Sequence, residues 1–202
     1  MTALSRRAFA AAGAASAAAL LTGCGGGGGD GRPAGRTGAS PRPAARPLPR
    51  SEPVRLRIPA AGVDTPVISL GLAEDGTVEV PPVTEHDRAG WYRHSPAPGT
   101  TGPSVLLGHV TVGAYGDGVF RHLARLRRGD RAEVRLRNGR TAVFAVTAVR
   151  TVPKADFPTD DVYGDVSRPE LRLITCGGPR TGDEYRDNVI VSAALIQGSP
   201  EG

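Results

Sequence analysis

The sequence predicts a small closed β-barrel, and three observations lead to it. From Val54 to Ile196 short β-rich runs are punctuated by Gly, Pro and Asp, the spacing of an all-β domain. Two runs, Val54 to Ile58 and Ala132 to Arg137, alternate strictly between apolar and charged residues, so each offers one face to a core and one to water. With 28 Gly, 18 Pro and 4% aromatic residues a long helical bundle is excluded, while 39% hydrophobic residues exclude wholesale disorder. About seven or eight strands in residues 54–197 imply a closed or nearly closed barrel with short helical turns rather than a layered α/β fold.

In chain order, residues 1–23 read as an export signal. Ser5-Arg6-Arg7-Ala8-Phe9 precedes an apolar stretch from Ala8 to Leu21, mostly alanine and too short for a spanning helix. The paired arginines suggest the twin-arginine route, with the general export route as the alternative. Leu21-Thr22-Gly23-Cys24 looks like a bacterial lipobox, which makes Cys24 the acylated N-terminus of the mature chain on the outer face of the membrane. Cleavage near Ala19 with Cys24 left as a free thiol is the other possibility. Residues 24–53 then form a disordered linker, opening with five consecutive glycines and continuing in Arg, Pro, Ala and Ser.

Within the barrel region, Val54 to Ile58 and Ala132 to Arg137 are half-buried strands. Asn138-Gly139 signals a two-residue hairpin into the strand Thr141 to Arg150. Ser104 to Leu107, Leu171 to Thr175 and Asn188 to Leu195 are more continuously apolar, as strands covered on both faces are. The apolar residues at 119, 120, 123 and 126 read as a short helical turn. Residues 198–202 are a tail.

Charge excludes one class of partner. Residues 1–50 carry seven Arg and one Asp, leaving 18 basic against 19 acidic residues in 51–202. The folded part is therefore not basic, and the overall +5 gives no case for nucleic-acid binding.

If Cys24 carries lipid, Cys176 is the one remaining thiol and no intramolecular disulfide can form. Cys176 ends the run Leu171 to Thr175, where Gly177-Gly178-Pro179 breaks the strand, and strand ends display side chains to a site. A thiol needs a base or nearby positive charge to act as a nucleophile. Of the four histidines, His109 has the matching strand-to-loop position after Ser104 to Leu107, whereas His86, His94 and His122 suit surface or capping roles. No pair has zinc-ligand spacing, so no metal is assigned. Arg186, ahead of the last strand, can supply donors to an oxyanion.

The order His109, Cys176, Arg186 on a small β-barrel resembles the sortases. Leu173-Ile174-Thr175-Cys176-Gly177-Gly178, Tyr185 to Val191, Leu107-Gly108-His109-Val110 and Ala89-Gly90-Trp91-Tyr92 are similar to the actinobacterial class F group, over roughly Val54 to Ile196. Pro179-Arg180 departs from the aromatic and acidic residues often found there. The resemblance implies a closed eight-stranded barrel and an extracytoplasmic cysteine transpeptidase that cuts a Leu-Pro-x-Thr-Gly-like sorting signal on surface proteins and passes the acyl group to an amine of peptidoglycan or a pilin. It implies Cys176 as nucleophile, His109 as proton shuttle, and Arg186 with an N–H near Gly177 as oxyanion donors, with Thr175 positioning the substrate. Phe157 and Tyr163 are expected to wall the groove. Asp156, Asp160, Asp161 and Asp165 occupy a segment where some sortases bind calcium, but carboxylates beside Pro158 and Gly164 also suit turns, and no cofactor is assigned. The enzyme is expected to be a monomer held at the membrane by its lipid. The other readings are a peptidase that mainly hydrolyses and a lipid-anchored binding module of the same fold.

Overall fold

The computed structural model describes residues 45–182 and 184–199. The export signal, the acylation at Cys24, the linker up to residue 44 and residues 200–202 lie outside the described residues. The strands are β1 (Pro53–Ile58), β2 (Val63–Leu70), β3 (Ala89–Tyr92), β4 (Gly102–Leu107), β5 (Thr111–Val112), β6 (Gly116–Asp117), β7 (Arg131–Leu136), β8 (Thr141–Pro153), β9 (Pro169–Thr181) and β10 (Glu184–Ser199), with one short helix, α1 (Thr159–Tyr163). Eight of them close a barrel in the order β1-β2-β3-β4-β9-β10-β8-β7, and β5 and β6 form a separate ribbon. The expected eight-stranded closed barrel with short helical turns is the fold that forms.

The barrel consists of two halves, β1 to β4 and β7 to β10, each contiguous in the chain apart from the intervening ribbon. They meet at two seams, antiparallel between β1 and β7 and parallel between β4 and β9. Period-two patterning turns Leu56, Ile58, Val134 and Leu136 into a core shared with Leu106, Phe120, Phe144, Leu171, Leu173 and Val191. Each such side chain contributes about 1.5–3 kcal/mol by leaving water. The alternating charged residues stay outside, where Arg55 pairs with Asp64 at 2.6 Å and Arg57 with Glu133 at 3.6 Å. A second apolar cluster covers the outer face of the β4/β9 seam. It joins Val105, Val162, Ile174 and Ile190 to Tyr92, Leu107, Val152, Phe157 and Tyr163, which explains why those strands read as apolar on both faces.

Several local expectations are corrected. The β7–β8 connection is a three-residue loop, Arg137 to Gly139, instead of a two-residue turn. Leu136 N–H donates to Arg140 O at 2.8 Å, and Arg137 N–H is drawn off the ladder to Glu52 O at 2.8 Å. The helical turn over 119–126 shortens to a 3-10 turn at Leu123–Arg125. The strand β10 includes Gly198 and Ser199, pairing them with Ala142 and Thr141, so the tail begins later than residue 198.

The end of the expected linker is also ordered. Leu48 N–H donates to Gly99 O at 2.8 Å, its side chain packs on Gly99 and Gly198, and Arg50 lies over the Trp91 ring at 5.9 Å. These contacts lie at the rim where β1 and β4 begin and β10 ends.

Behind β9, Glu170 and Arg172 are buried despite their charge. Arg172 Nη1 is 2.6 Å from Glu170, whose other carboxylate oxygen takes Arg168 Nε at 2.5 Å. Arg172 Nε also donates to Asp161 O at 3.2 Å, fastening α1 to the barrel. Burial raises the affinity of Glu170 for a proton, but the two guanidinium hydrogen bonds outweigh it and hold the carboxyl below its usual range.

Candidate active site

The parallel seam decides which residues meet. Its register pairs Gly102 with Pro169 and Leu107 with Ile174, a constant offset of 67 residues. β4 ends at Leu107, and the same offset carried two positions past it matches His109 to Cys176. Backbone bonds continue the seam past β4: Gly108 N–H donates to Ile174 O at 3.2 Å, and the buried Thr175 hydroxyl donates to Gly108 O at 2.7 Å. The far side of the His109 loop is held by Phe120 N–H on His109 O at 2.8 Å and Gly118 N–H on Val110 O at 3.0 Å. A Cβ on Gly118 would stand 2.3 Å from His109 O, so only glycine lets the loop return this close.

Cys176 and His109 line one cleft of about 200 Å³ with Leu107, Ile174, Asn188, Val80 and Pro81. Cys176 is half-buried, and Asn188 is its partner across the β9–β10 ladder. The imidazole Nε2 lies 2.6 Å from Pro81 O.

Cys176 does not end its strand, contrary to the sequence reading. β9 runs on to Thr181, because pairing with β10 outweighs the local breakers: Asp187 pairs with Gly177 and Tyr185 with Arg180. Gly177 is needed there because a Cβ would come within 2.5 Å of Val189. Between those pairs the register slips, leaving Arg186 in an irregularity of β10. Arg186 is exposed and lines an adjoining hollow with Pro153, Lys154, Ala155, Pro179 and Asp187, so it shares the rim with Cys176 without lining its cleft.

Thr175 lines the cleft, but its hydroxyl is occupied in joining β9 to the His109 loop. Phe157 and Tyr163 belong to the outer apolar cluster, 6.3 Å apart between ring centroids, and Tyr163 meets Tyr92 edge-on at 6.2 Å. They adjoin the cleft through Leu107 and Ile174, which belong to both. Burial raises the pKa of the Tyr163 phenol, and Tyr92 adds to the effect. His86 packs on Tyr115, His94 on Tyr92, and His122 lines a separate hollow with Thr65 and Asp87; none of the three lines the Cys176 cleft. Asp161 is paired with Arg150 at 3.0 Å, and among the described residues no three His, Cys, Asp or Glu side chains gather as metal ligands. Sequence reasoning missed Pro81, Asn188 and the Glu170–Arg172 pair. The adjacent Pro81-Pro82 was the one available signal for the first.

A thiol and an imidazole in one rim cleft of a closed β-barrel are the kinds of group that cysteine acyl transfer requires. Residues 56–196 match the Sortase domain family, and the chain belongs to that family of cysteine transpeptidases. Among curated proteins, none matches. Similar solved structures include sortase C-1 from Actinomyces oris, 24% identical with a TM-score of 0.56 over 72% of this chain and 76% of that one. A lid mutant of sortase A from Corynebacterium diphtheriae is 21% identical, TM-score 0.57, covering 75% of this chain and 74% of that one. Sortase A from Listeria monocytogenes is 18% identical, TM-score 0.54, covering 72% of this chain and 88% of that one. At these identities the likeness is one of fold.

Proposed function

We propose that the protein is an extracytoplasmic transpeptidase, nearest the class F group by its motifs, that cleaves a Leu-Pro-x-Thr-Gly-like signal. The shared cleft of Cys176 and His109 carries this reading. The Cys176 sulfur attacks the Thr carbonyl carbon and His109 takes the thiol proton. Collapse of the tetrahedral adduct breaks the C–N bond, His109 protonates the departing Gly amine, and a thioester remains. An amine of peptidoglycan or a pilin then attacks the thioester, gives its proton to His109, and regenerates the thiol. Arg186 and a backbone N–H near Gly177 supply oxyanion donors, the arginine by reaching across from its adjoining hollow. Thr175 holds the floor of the cleft, and Phe157 and Tyr163 support the wall over which the apolar part of the signal lies.

Cys24 anchors the monomeric enzyme by lipid, and no metal takes part in the reaction. Among the described residues no helix is long and apolar enough to cross a membrane.

Incubation with a Leu-Pro-x-Thr-Gly peptide should give a hydroxylamine-sensitive mass adduct on Cys176 that is missing from Cys176→Ala and nearly missing from His109→Ala. An unmodified wild-type thiol under those conditions would overturn the reading. Arg186→Lys should keep the adduct but form it on the order of 10²-fold more slowly, the scale of a lost oxyanion donor.

A further inference from the structure

The backbone of His109 is held by the seam and by Phe120, and its ring is hydrogen-bonded, among the described residues, from Nε2 to Pro81 O at 2.6 Å. A carbonyl oxygen only accepts, so the hydrogen in this bond belongs to Nε2. A neutral imidazole carries a single N–H, which leaves the lone pair on Nδ1.

The acceptor is firmly placed. Pro81 is buried, and as the residue before Pro82 it is confined to extended conformations. Pro82 itself is polyproline-like, at φ −54° and ψ 143°. Neither residue has an N–H, so this stretch cannot donate to a sheet ladder, and its carbonyls are left for other donors. On one side Glu79 N–H donates to Gly71 O at 3.1 Å; on the other, Val119 N–H donates to His86 O at 2.9 Å, tying the stretch to the loop that carries His109.

We propose that the Pro81 carbonyl is the positioning group of this site, fixing His109 as its Nε2–H tautomer and assigning proton exchange with Cys176 to Nδ1. The inference deepens the transpeptidase reading and rests on it for its chemical purpose. Nδ1 takes the thiol proton as sulfur attacks, and the ring becomes an imidazolium whose Nε2–H stays on Pro81 O. The same Nδ1 proton then goes to the departing amine. A carboxylate does this orienting work in Ser-His-Asp triads; here the acceptor is neutral backbone.

Long-range ¹H–¹⁵N spectra of the full chain with ¹⁵N-histidine test it, at a pH where the rings are neutral and with His109 assigned by its loss in His109→Gln. His109 should show the Nε2–H pattern, and Pro81→Ala, which keeps the carbonyl, should retain it. Replacing the stretch with Val80→Gly, Pro81→Gly and Pro82→Gly together should raise the Nδ1–H population. It should also lower kcat for thioester formation about 3- to 10-fold, the worth of one hydrogen bond, with KM little changed. A wild-type ring in the Nδ1–H form, or an unchanged tautomer ratio in the triple variant, overturns the proposal. If the triple variant does not fold, the wild-type and Pro81→Ala spectra decide. The tautomer is read without turnover, so an Nε2–H ring on a protein that forms no thioester would overturn the transpeptidase reading and leave the placement of the proton standing.

Discussion

The two halves of the barrel are built differently. In the C-terminal half β8 and β9 have 13 residues each and β10 has 16, paired antiparallel along nearly their whole length. In the N-terminal half β3 has four residues and β4 six, and long excursions interrupt the sheet over residues 71–88 and after Leu107. The long-stranded half carries the thiol. The short-stranded half carries the imidazole and, in one of its excursions, the carbonyl that faces it. Long ladders hold a nucleophile in place by sheet pairing alone, whereas a residue on a loop needs separate contacts. His109 has them in Thr175, Phe120 and Pro81.

The largest effect that would break this contrast lies behind the long strands. Glu170→Ala leaves the buried Arg172 guanidinium without its carboxylate and should destabilise the fold by about 3–5 kcal/mol, measured by urea unfolding. Acid should reach the same pair. The Glu170 carboxyl is held below its unfolded value, so its contribution is complete above the unfolded pKa and is lost as pH falls through the folded one. Glu170→Gln should therefore be less stable at neutral pH and show a flatter acid limb; an acid limb as steep as wild type would remove Glu170 from the cause.

At the seam, Thr175→Val removes a buried side-chain bond between the halves beside the site. We expect a loss of about 1–3 kcal/mol, with a fall in thioester rate larger than that in any seam variant away from the rim. Equal rates in Thr175→Val and wild type would show that the two backbone loops align without it. The smallest effect concerns the rim opposite the site. A chain beginning at Ser51 loses the half-buried Leu48 and its bond to Gly99, costing about 1–2 kcal/mol and roughly 2–8 °C in Tm, with kcat unchanged. An unchanged Tm would mean that Leu48 rests on the barrel without stabilising it.

What could be read from the sequence follows the same division. Alternation in Val54 to Ile58 and Ala132 to Arg137, and the more continuously apolar runs at 171–175 and 188–195, report burial directly, so the barrel and the strands of its long half were legible. The level of His109 with Cys176 was not, since it follows from the register of a parallel pair that no local pattern encodes. Gly177-Gly178-Pro179 read as a strand end because backbone propensity is local, while the pairing that carries β9 through it comes from β10. Pro81 acts through a backbone oxygen that every residue type possesses, and its only trace was the second proline. Leu48, a single leucine in a Pro- and Arg-rich stretch, had no periodic partner to mark it as buried.

The parallel β4/β9 seam also sets when the site can come into being. Its pairs are 67 residues apart, and β7 and β8 lie between the two strands in the chain. Contacts of such long range are costly in loop entropy and tend to form late in folding. The N-terminal half emerges from synthesis with an imidazole and no thiol, and the thiol gains its neighbour only when the two halves close on each other. On the proposed mechanism, partly folded chains thus hold an unactivated cysteine, and the ability to attack a peptide arises together with the finished barrel.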